Sequence, residues 1–153
     1  MIVNNEILEV VKNSNNVAIC CHIRPDADCL GSASALKSAL LKLNKSVDIF
    51  CDSEISENYL FLPHISDINP HVKDYDLIIA VDCADISRTG SYNTLFNHSN
   101  TLSIDHHLFG CRDNFTKYLI KEDFSSTAEI LFHILSQLNI EIDKNKIIIM
   151  FEI

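Results

Sequence analysis

Three short apolar runs, each closed by carboxylate or imidazole side chains, constrain the fold of this 153-residue chain most strongly. The clearest is "DLIIAVDC" at residues 76–83, and "NVAICCHI" at 16–23 and "NTLSIDHH" at 100–107 share its design. In the runs at 76–83 and 16–23 the apolar residues are consecutive rather than alternating, as is typical of strands that are buried on both faces of a parallel sheet. "SVDIFC" at residues 46–51 is a further predicted strand.

Helical patterns alternate with these runs. In "CLGSASALKSALLKL" at residues 29–43, apolar side chains recur about every 3.6 residues, which predicts a helix. A second helix is predicted for residues 126–138, with Ser125 or Ser126 as its N-cap and Glu129 at the capping-box position relative to Ser126. Strands that alternate with helices predict an α/β fold, in which a parallel sheet carries helices on both faces.

The predicted sheet would bring three polar clusters to one edge, because ligand sites of such sheets lie outside the carboxyl ends of the strands. The clusters in this position are His22 with Asp26 and Asp28, Asp82 with Asp85, and Asp105 with His106 and His107. Carboxylates and imidazoles that crowd one spot usually hold a cation between them. The sequence therefore predicts a metal site at the carboxyl ends of the strands.

The ligand types bear on the identity of the metal. Aspartate with histidine, and without cysteine, favours Mn²⁺ or a similar hard-to-borderline ion. Five candidate ligands exceed the needs of one tetrahedral site, so two ions about 3.5 to 4 Å apart, bridged by Asp82, would use them better. Such a pair would support hydrolysis of a phosphoester or a phosphoanhydride.

Each cluster also has an ordinary structural explanation when it is taken alone. Asp28 is a candidate N-cap for the helix that follows it, and an aspartate pair of this spacing also occurs in the metal sites of glycosyltransferases. Asp82 at a strand end is compatible with the start of a turn, and "DHH" with a polar surface run. The coincidence of all three clusters after apolar strands favours the metal site.

Composition narrows the classes of function. The formal net charge of −9 argues against a general nucleic-acid-binding surface, although metal ions can supply the positive charge that a phosphate-containing substrate needs. Six cysteines without a C-x-x-C pair are expected to be small buried apolar residues. No apolar run is long enough to cross a bilayer and no secretory signal is recognised, so we expect a cytoplasmic protein without a membrane partner.

The ordered segments "HIRPDADCLGSASAL", "IIAVDCADISRTG", "LSIDHH" and "FSSTAEIL" resemble the DHH phosphoesterase family, and most closely its bifunctional oligoribonuclease/pAp phosphatases. The resemblance implies a manganese-dependent phosphoesterase that acts on short RNA oligonucleotides and on 3′-phosphoadenosine 5′-phosphate. It implies in-line attack on phosphorus without a covalent enzyme intermediate. Family II pyrophosphatases and cyclic-dinucleotide phosphodiesterases are the alternatives within the family, and a non-catalytic metal-binding module is the alternative outside it.

The resemblance also implies a role for each candidate metal ligand. His22 and Asp26 would bind one Mn²⁺, Asp28 and His106 would bind the other, and Asp82 would bridge the two ions.

Further site residues follow from the same resemblance. His107 would contact the scissile phosphate, and Asp105 would orient a ligand histidine, which places both with Asp82 in the catalytic set. Arg88 would contact the substrate phosphate or support the fold. Ser126 and Thr127 are weaker candidates for the wall of the site, with helix capping as their alternative role.

Members of the family carry a fourth motif, an aspartate that also bridges the metals, followed by a smaller substrate-binding domain. In this chain, residues 144–153 reach the approach to that motif. The resemblance implies that residues 1–153 form a DHH catalytic domain that is incomplete at its C-terminal end, without the C-terminal substrate-binding domain. Little or no turnover is then expected. Relatives often dimerise, so a homodimer is a further expectation.

Overall fold

A computed structural model describes residues 2–98 and 100–141 of the chain. The described residues form five strands, β1 Asn16–Cys20, β2 Ser46–Phe50, β3 Leu77–Val81, β4 Thr101–Asp105 and β5 Lys117–Ile120. All four strand pairings are parallel, in the order β2-β1-β3-β4-β5. The segment 144–153, which is expected to reach the approach to the fourth motif, lies outside the described residues.

Helical segments cover both faces of the sheet. The α-helices are α1 Asn5–Asn13, α2 Ala27–Lys42 and α3 Thr127–Gln137, and the 3₁₀ segments are Glu57–Tyr59, Ile86–Phe96 and Arg112–Asn114. All three α-helices of the described chain pack on one face, over side chains such as Val17, Ile79 and Ile104. The other face carries Ala18, Ile78 and Ala80, and the 3₁₀ segment Ile86–Phe96 packs against it. The predicted α/β fold is confirmed, with a 3₁₀ segment rather than an α-helix on the second face.

The strand order contains a switch point between β1 and β3. From β1 the chain continues to β2 on one side, whereas from β3 it continues to β4 on the other. Right-handed crossovers in opposite directions place α2 and the 3₁₀ segment Ile86–Phe96 on opposite faces. Such a switch point opens a crevice at the carboxyl ends of the strands. His22 follows β1 and Asp82 follows β3, so both lie at this crevice.

The two predicted helices begin at capped residues. The N-cap of α2 is Asp26, whose Oδ1 accepts a hydrogen bond from the backbone N of Cys29 at 3.0 Å. The proposal of Asp28 as N-cap is therefore wrong, because Asp28 already lies inside the first turn. Ser126 is confirmed as the N-cap of α3, where its Oγ accepts from the backbone N of Glu129 at 3.1 Å.

Two elements had no clear signal in the sequence. Helix α1 is capped by Asn4 and buries Ile7, Leu8 and Val11 against the sheet. Strand β5 is a four-residue edge strand in which only Leu119 is buried, so it lacks the apolar run that marks the central strands. Among the described residues, no helix combines the length and the apolar character that a membrane span requires.

Candidate metal centre

The carboxylate of Asp82 lies at the centre of the clustered side chains. Asp82 directly follows β3, is 1% exposed and has a left-handed φ of 57°, a conformation that aspartate and asparagine tolerate better than most residues. Its Oδ2 lies 3.5 Å from Nε2 of His22. Its Oδ1 lies 3.7 Å from Nε2 of His106 and 3.6 Å from Nδ1 of His107. The two oxygens of one carboxylate therefore face histidines from two different strand ends.

Backbone carbonyls orient the two histidines that present Nε2 to Asp82. Nδ1 of His22 lies 2.9 Å from the carbonyl oxygen of Ile23, and Nδ1 of His106 lies 3.3 Å from that of Phe124. Because a carbonyl oxygen can only accept, Nδ1 is the donor in both rings. This arrangement leaves Nε2 available for a metal and is the usual one for metal-ligating histidines.

Asp28, in the first turn of α2, reaches the same centre. Its Oδ2 accepts from the backbone N of Thr127 at 2.8 Å, and its Oδ1 accepts from that of Ala128 at 3.0 Å. The same Oδ2 lies 3.6 Å from Nε2 of His106. Burial raises the pKa of Asp28, the negative charge of Asp82 raises it further, and the two backbone donors only partly oppose this. Two carboxylates held this close favour a cation between them.

Thr127 links the start of α3 to the central carboxylate. Its Oγ1 donates to Oδ1 of Asp82 at 2.9 Å, and both groups are buried. Thr127 therefore positions Asp82 through its hydroxyl and Asp28 through its backbone N–H. In the sequence Thr127 is only a weak candidate, since a threonine after a helix cap has no distinguishing pattern.

We expect Thr127→Val to weaken Mn²⁺ binding by about 10- to 100-fold, the usual loss when the partner that orients a metal ligand is removed. Thr127→Ser retains the hydroxyl and should bind Mn²⁺ with nearly wild-type affinity. Isothermal titration calorimetry of both variants measures the difference. Equal affinities for the valine and serine variants would contradict a positioning role for the hydroxyl.

Two aspartates of the predicted clusters lie farther from the centre. The side chain of Asp26 is 64% exposed, and its Oδ1 lies 3.9 Å from Nε2 of His22, at the rim of the site. Asp85 instead caps the 3₁₀ segment Ile86–Phe96, where its Oδ1 accepts from the backbone N of Ser87 at 2.9 Å. The structure thus brings Asp26 near the candidate ligands and gives Asp85 a capping role.

Asp105 orients the imidazole of His107. Its buried Oδ1 accepts from the backbone N of His106 at 2.8 Å, and from the backbone N and Nδ1 of His107 at 3.2 Å and 2.7 Å. It therefore holds the ring of His107 but only the backbone of His106. Burial lowers the pKa of His107, yet the hydrogen bond to Asp105 and the charges of Asp105 and Asp82 raise it on balance.

Arg88 lies on the exposed side of the site. Its side chain forms no hydrogen bond or ion pair with another residue in the described ranges 2–98 and 100–141, and its positive charge opposes the rise in the pKa of His107. Its backbone carbonyl accepts from the N of Ile23 at 2.7 Å, which joins the 3₁₀ segment Ile86–Phe96 to the loop that follows β1. Arg88 therefore combines a backbone role with a guanidinium that is available to an anion.

A proton would compete with a metal ion for His22. Burial lowers the pKa of His22, but the hydrogen bond to Asp82 and the neighbouring Cys29 raise it, to about 11 on balance. The folded pKa thus exceeds the unfolded value of about 6.5. In the metal-free protein, protonated His22 therefore stabilises the folded state. This contribution to folding stability is fully present below about pH 6.5 and is lost as the pH rises through about 11.

We expect Mn²⁺ affinity to rise with pH across the neutral range, by up to about tenfold per pH unit for each proton displaced. Calorimetry in buffers of different ionisation enthalpy would count the protons released. His71→Gln, at an exposed histidine, should leave this dependence unchanged. Affinity that does not vary with pH would contradict a protonated His22 in the metal-free site.

The donor set fits divalent cations. Two groups of side chains bring ligand atoms within 4.8 Å of one another, His22 with Cys29 and Asp82, and Asp82 with His106 and His107. Both groups share Asp82, as expected for a carboxylate between two ions. Cys29 was not among the ligands predicted from the sequence, where its only signal was its place directly after Asp28.

Comparisons with known proteins agree with this fold. The chain is 32% identical over 146 residues to the uncharacterized protein MJ0988 of Methanocaldococcus jannaschii, a match that covers 92% of this chain and 44% of that protein. The structure of this chain is similar to that of an exopolyphosphatase-related protein from Bacteroides fragilis, with a TM-score of 0.81 and 20% identity, over 88% of this chain and 43% of the other. It also resembles CDC45 from Entamoeba histolytica, with a TM-score of 0.53 and 17% identity, over 95% of this chain and 30% of the other.

The two structural matches show the fold alone, because their identities are low. The chain spans less than half the length of each of these three proteins. The family assignment rests on a sequence match, in which residues 16–152 correspond to the N-terminal domain of the DHH family. This chain therefore belongs to the DHH family.

Proposed function

We propose that this chain forms the catalytic domain of a manganese-dependent phosphoesterase that hydrolyses short RNA oligonucleotides and 3′-phosphoadenosine 5′-phosphate. The observation that carries the proposal is the division of the Asp82 carboxylate between two histidines, with Oδ2 facing His22 and Oδ1 facing His106. A carboxylate shared in this way suits a pair of metal ions. The family assignment supports phosphoester hydrolysis as the reaction class.

The side chains divide into two ligand sets. His22 and Asp26 would hold one ion, Asp28 and His106 the other, and Asp82 would contact both. When bound, the ions would lower the pKa of a water molecule and neutralise charge on the phosphoryl group. The protein contributes rigidity, because backbone donors, backbone carbonyls and a threonine hydroxyl fix the ligands before any substrate arrives.

Two groups beside the ligand sets, His107 and Arg88, suit a phosphate. The His107 side chain is 47% exposed, with Nδ1 held by Asp105, so its Nε2 can reach a phosphoryl oxygen. The Arg88 guanidinium is exposed and without a partner among the described side chains. Charge-assisted hydrogen bonds from such groups are among the stronger contacts to phosphate. Such contacts also offset the repulsion between a phosphate and a chain whose net charge is −9.

An exposed aromatic residue supports a nucleotide rather than an inorganic phosphate chain as substrate. Phe109, two residues after His107, is 85% exposed. The next residue, Gly110, packs so closely on Ala84 that an added Cβ would overlap both the Ala84 side chain and its carbonyl. This contact holds the Phe109 loop beside the loop that follows Asp82. An exposed aromatic ring two residues after a histidine that would contact phosphate is suited to stacking on a nucleobase.

A substrate panel tests the proposal. With the protein in excess and Mn²⁺ present, we expect slow conversion of a labelled RNA dinucleotide to mononucleotides, and loss of this conversion in Asp82→Asn. Phe109→Ala should raise the protein concentration that gives the half-maximal rate by about tenfold, since base stacking is worth about 1–3 kcal/mol. Its rate on p-nitrophenyl phosphate, which carries no nucleobase, should be unchanged.

The other outcomes separate the alternatives. Faster hydrolysis of pyrophosphate or of a cyclic dinucleotide than of the RNA dinucleotide would contradict the proposed substrate and favour the corresponding family activity. Mn²⁺ binding without cleavage of any phosphate ester would contradict catalysis and favour a metal-binding module. Absence of Mn²⁺ binding would overturn the proposal at its first step.

A further inference from the structure

One cysteine lies within the candidate metal centre rather than in a purely apolar environment. Cys29 is completely buried, and its sulfur lies within 4.8 Å of the ligand atoms of His22 and Asp82. Five of the six cysteines are buried. Of the cysteines in the described chain, only Cys29 belongs to a group of three side chains that could bind a metal ion.

The position of Cys29 is set by two elements. Cys29 is the third residue of α2, where its backbone N donates to the capping carboxylate of Asp26 at 3.0 Å. Its Sγ lies 3.6 Å from the carbonyl oxygen of Val81, the last residue of β3. Since Val81 directly precedes Asp82, the helix start and the strand end together place the sulfur beside the central carboxylate.

The thiol has polar as well as apolar neighbours. Cys29 packs in the apolar core beneath the three α-helices, and its sulfur also lies near an imidazole and a carboxylate. Sulfur, nitrogen and carboxylate oxygen together form a donor set that Zn²⁺ and Co²⁺ take readily. The ligands on the other side of Asp82, namely Asp28 and His106, offer only oxygen and nitrogen.

We propose that Cys29 is a ligand of the ion held by His22 and Asp82, so that this half of the centre prefers Zn²⁺ or Co²⁺ to Mn²⁺. The inference deepens the proposed function, on whose two-ion centre it rests. On binding, the thiol loses its proton to solvent and a sulfur–metal bond forms, without any change in oxidation state. The half that contains Asp28 and His106 would retain its preference for a harder ion. The centre would then hold two different metals.

Cobalt spectroscopy tests the sulfur contact without an activity assay. In a Cys111→Ser background, which removes the exposed thiol, stoichiometric Co²⁺ should produce a thiolate-to-cobalt charge-transfer band in the near ultraviolet. Cys29→Ala should lose this band. Cys20→Ala is the matched control, because Cys20 is equally buried but lies on the opposite face of the sheet, and it should retain the band.

Affinity measurements provide the second readout. We expect Cys29→Ala to bind Zn²⁺ about 10- to 100-fold more weakly than the parent, and Mn²⁺ with an affinity within about threefold of the parent. Cys29→Ser, which keeps a small polar side chain, should behave in the same way, so the test survives misfolding of the alanine variant.

The outcomes separate this inference from the proposed function. Parent protein that binds Co²⁺ without the charge-transfer band would overturn Cys29 as a ligand, while Mn²⁺ binding and dinucleotide cleavage would leave the proposed function intact. A band that persists in Cys29→Ala would assign the sulfur to another cysteine and likewise overturn the inference. Failure to bind either Co²⁺ or Mn²⁺ would overturn both.

Discussion

Asp82→Asn should reduce Mn²⁺ affinity by more than about 100-fold, a larger loss than that from removing an outer partner of a ligand. The carboxylate faces His22 with one oxygen and His106 with the other, so its neutralisation affects both ligand sets. Asparagine has nearly the same size and tolerates the positive φ of 57° at this position. The substitution therefore tests charge and coordination rather than packing.

Calorimetry and thermal unfolding both report the effect of Asp82→Asn. Saturating Mn²⁺ should stabilise the wild-type chain, by about 2.7 kcal/mol at 100 times the dissociation constant, and should not stabilise the variant. Asp85→Asn is the matched control, because Asp85 also follows β3 but caps a 3₁₀ segment. It should bind Mn²⁺ like the wild type. Two ions bound with undiminished affinity by Asp82→Asn would contradict the central role of this carboxylate.

Asp105→Asn should slow dinucleotide cleavage by about 100-fold or more, with Mn²⁺ affinity changed only a few-fold. Asp105 contacts only the backbone N of His106, whereas its Oδ1 accepts from the ring Nδ1 of His107 at 2.7 Å. Without the carboxylate charge, the ring of His107 loses its orienting partner. The pKa of His107 should also fall, because Asp105 is a main cause of its rise above the ordinary value.

Single-turnover kinetics and an NMR titration of His107 measure the two effects of Asp105→Asn. The exposed Asp113 provides a matched substitution, and Asp113→Asn should change neither quantity. A loss of Mn²⁺ affinity as large as the loss of rate would show that Asp105 acts through the metal ligands. A lowered pKa of His107 with an unchanged rate would contradict a role for His107 in contacting the phosphate.

The central strands and the fold class could be predicted from the sequence because the apolar runs are continuous. β3 is apolar and buried at every position, β1 is so after Asn16, and β4 is buried throughout with apolar or small residues before Asp105, so the run itself marks the strand. β5 and α1 could not be recognised in the same way. The edge strand buries only Leu119, and the helix is short, so their identity depends on packing against the rest of the sheet.

The candidate site also contains some residues that the sequence pattern predicts and others that only the packing of the fold reveals. The aspartates and histidines stood out because each cluster follows an apolar strand, and parallel strands end at one edge. Thr127 and Cys29 did not stand out, because a threonine at a helix start and a buried cysteine are common in any domain. Their importance depends on Asp82, which lies 45 residues from Thr127 in the chain and contacts its hydroxyl directly.

The sequence by itself determined the parallel sheet, the edge at which polar side chains gather and the chemical type of those side chains. Only the tertiary structure decided which oxygen of Asp82 faces which histidine, which aspartate caps α2, and that a thiol lies beside the centre. The reason is physical. Strand formation depends on local apolar pattern, whereas ligand geometry depends on the angles at which separate strands and helices pack, which no short stretch of sequence contains.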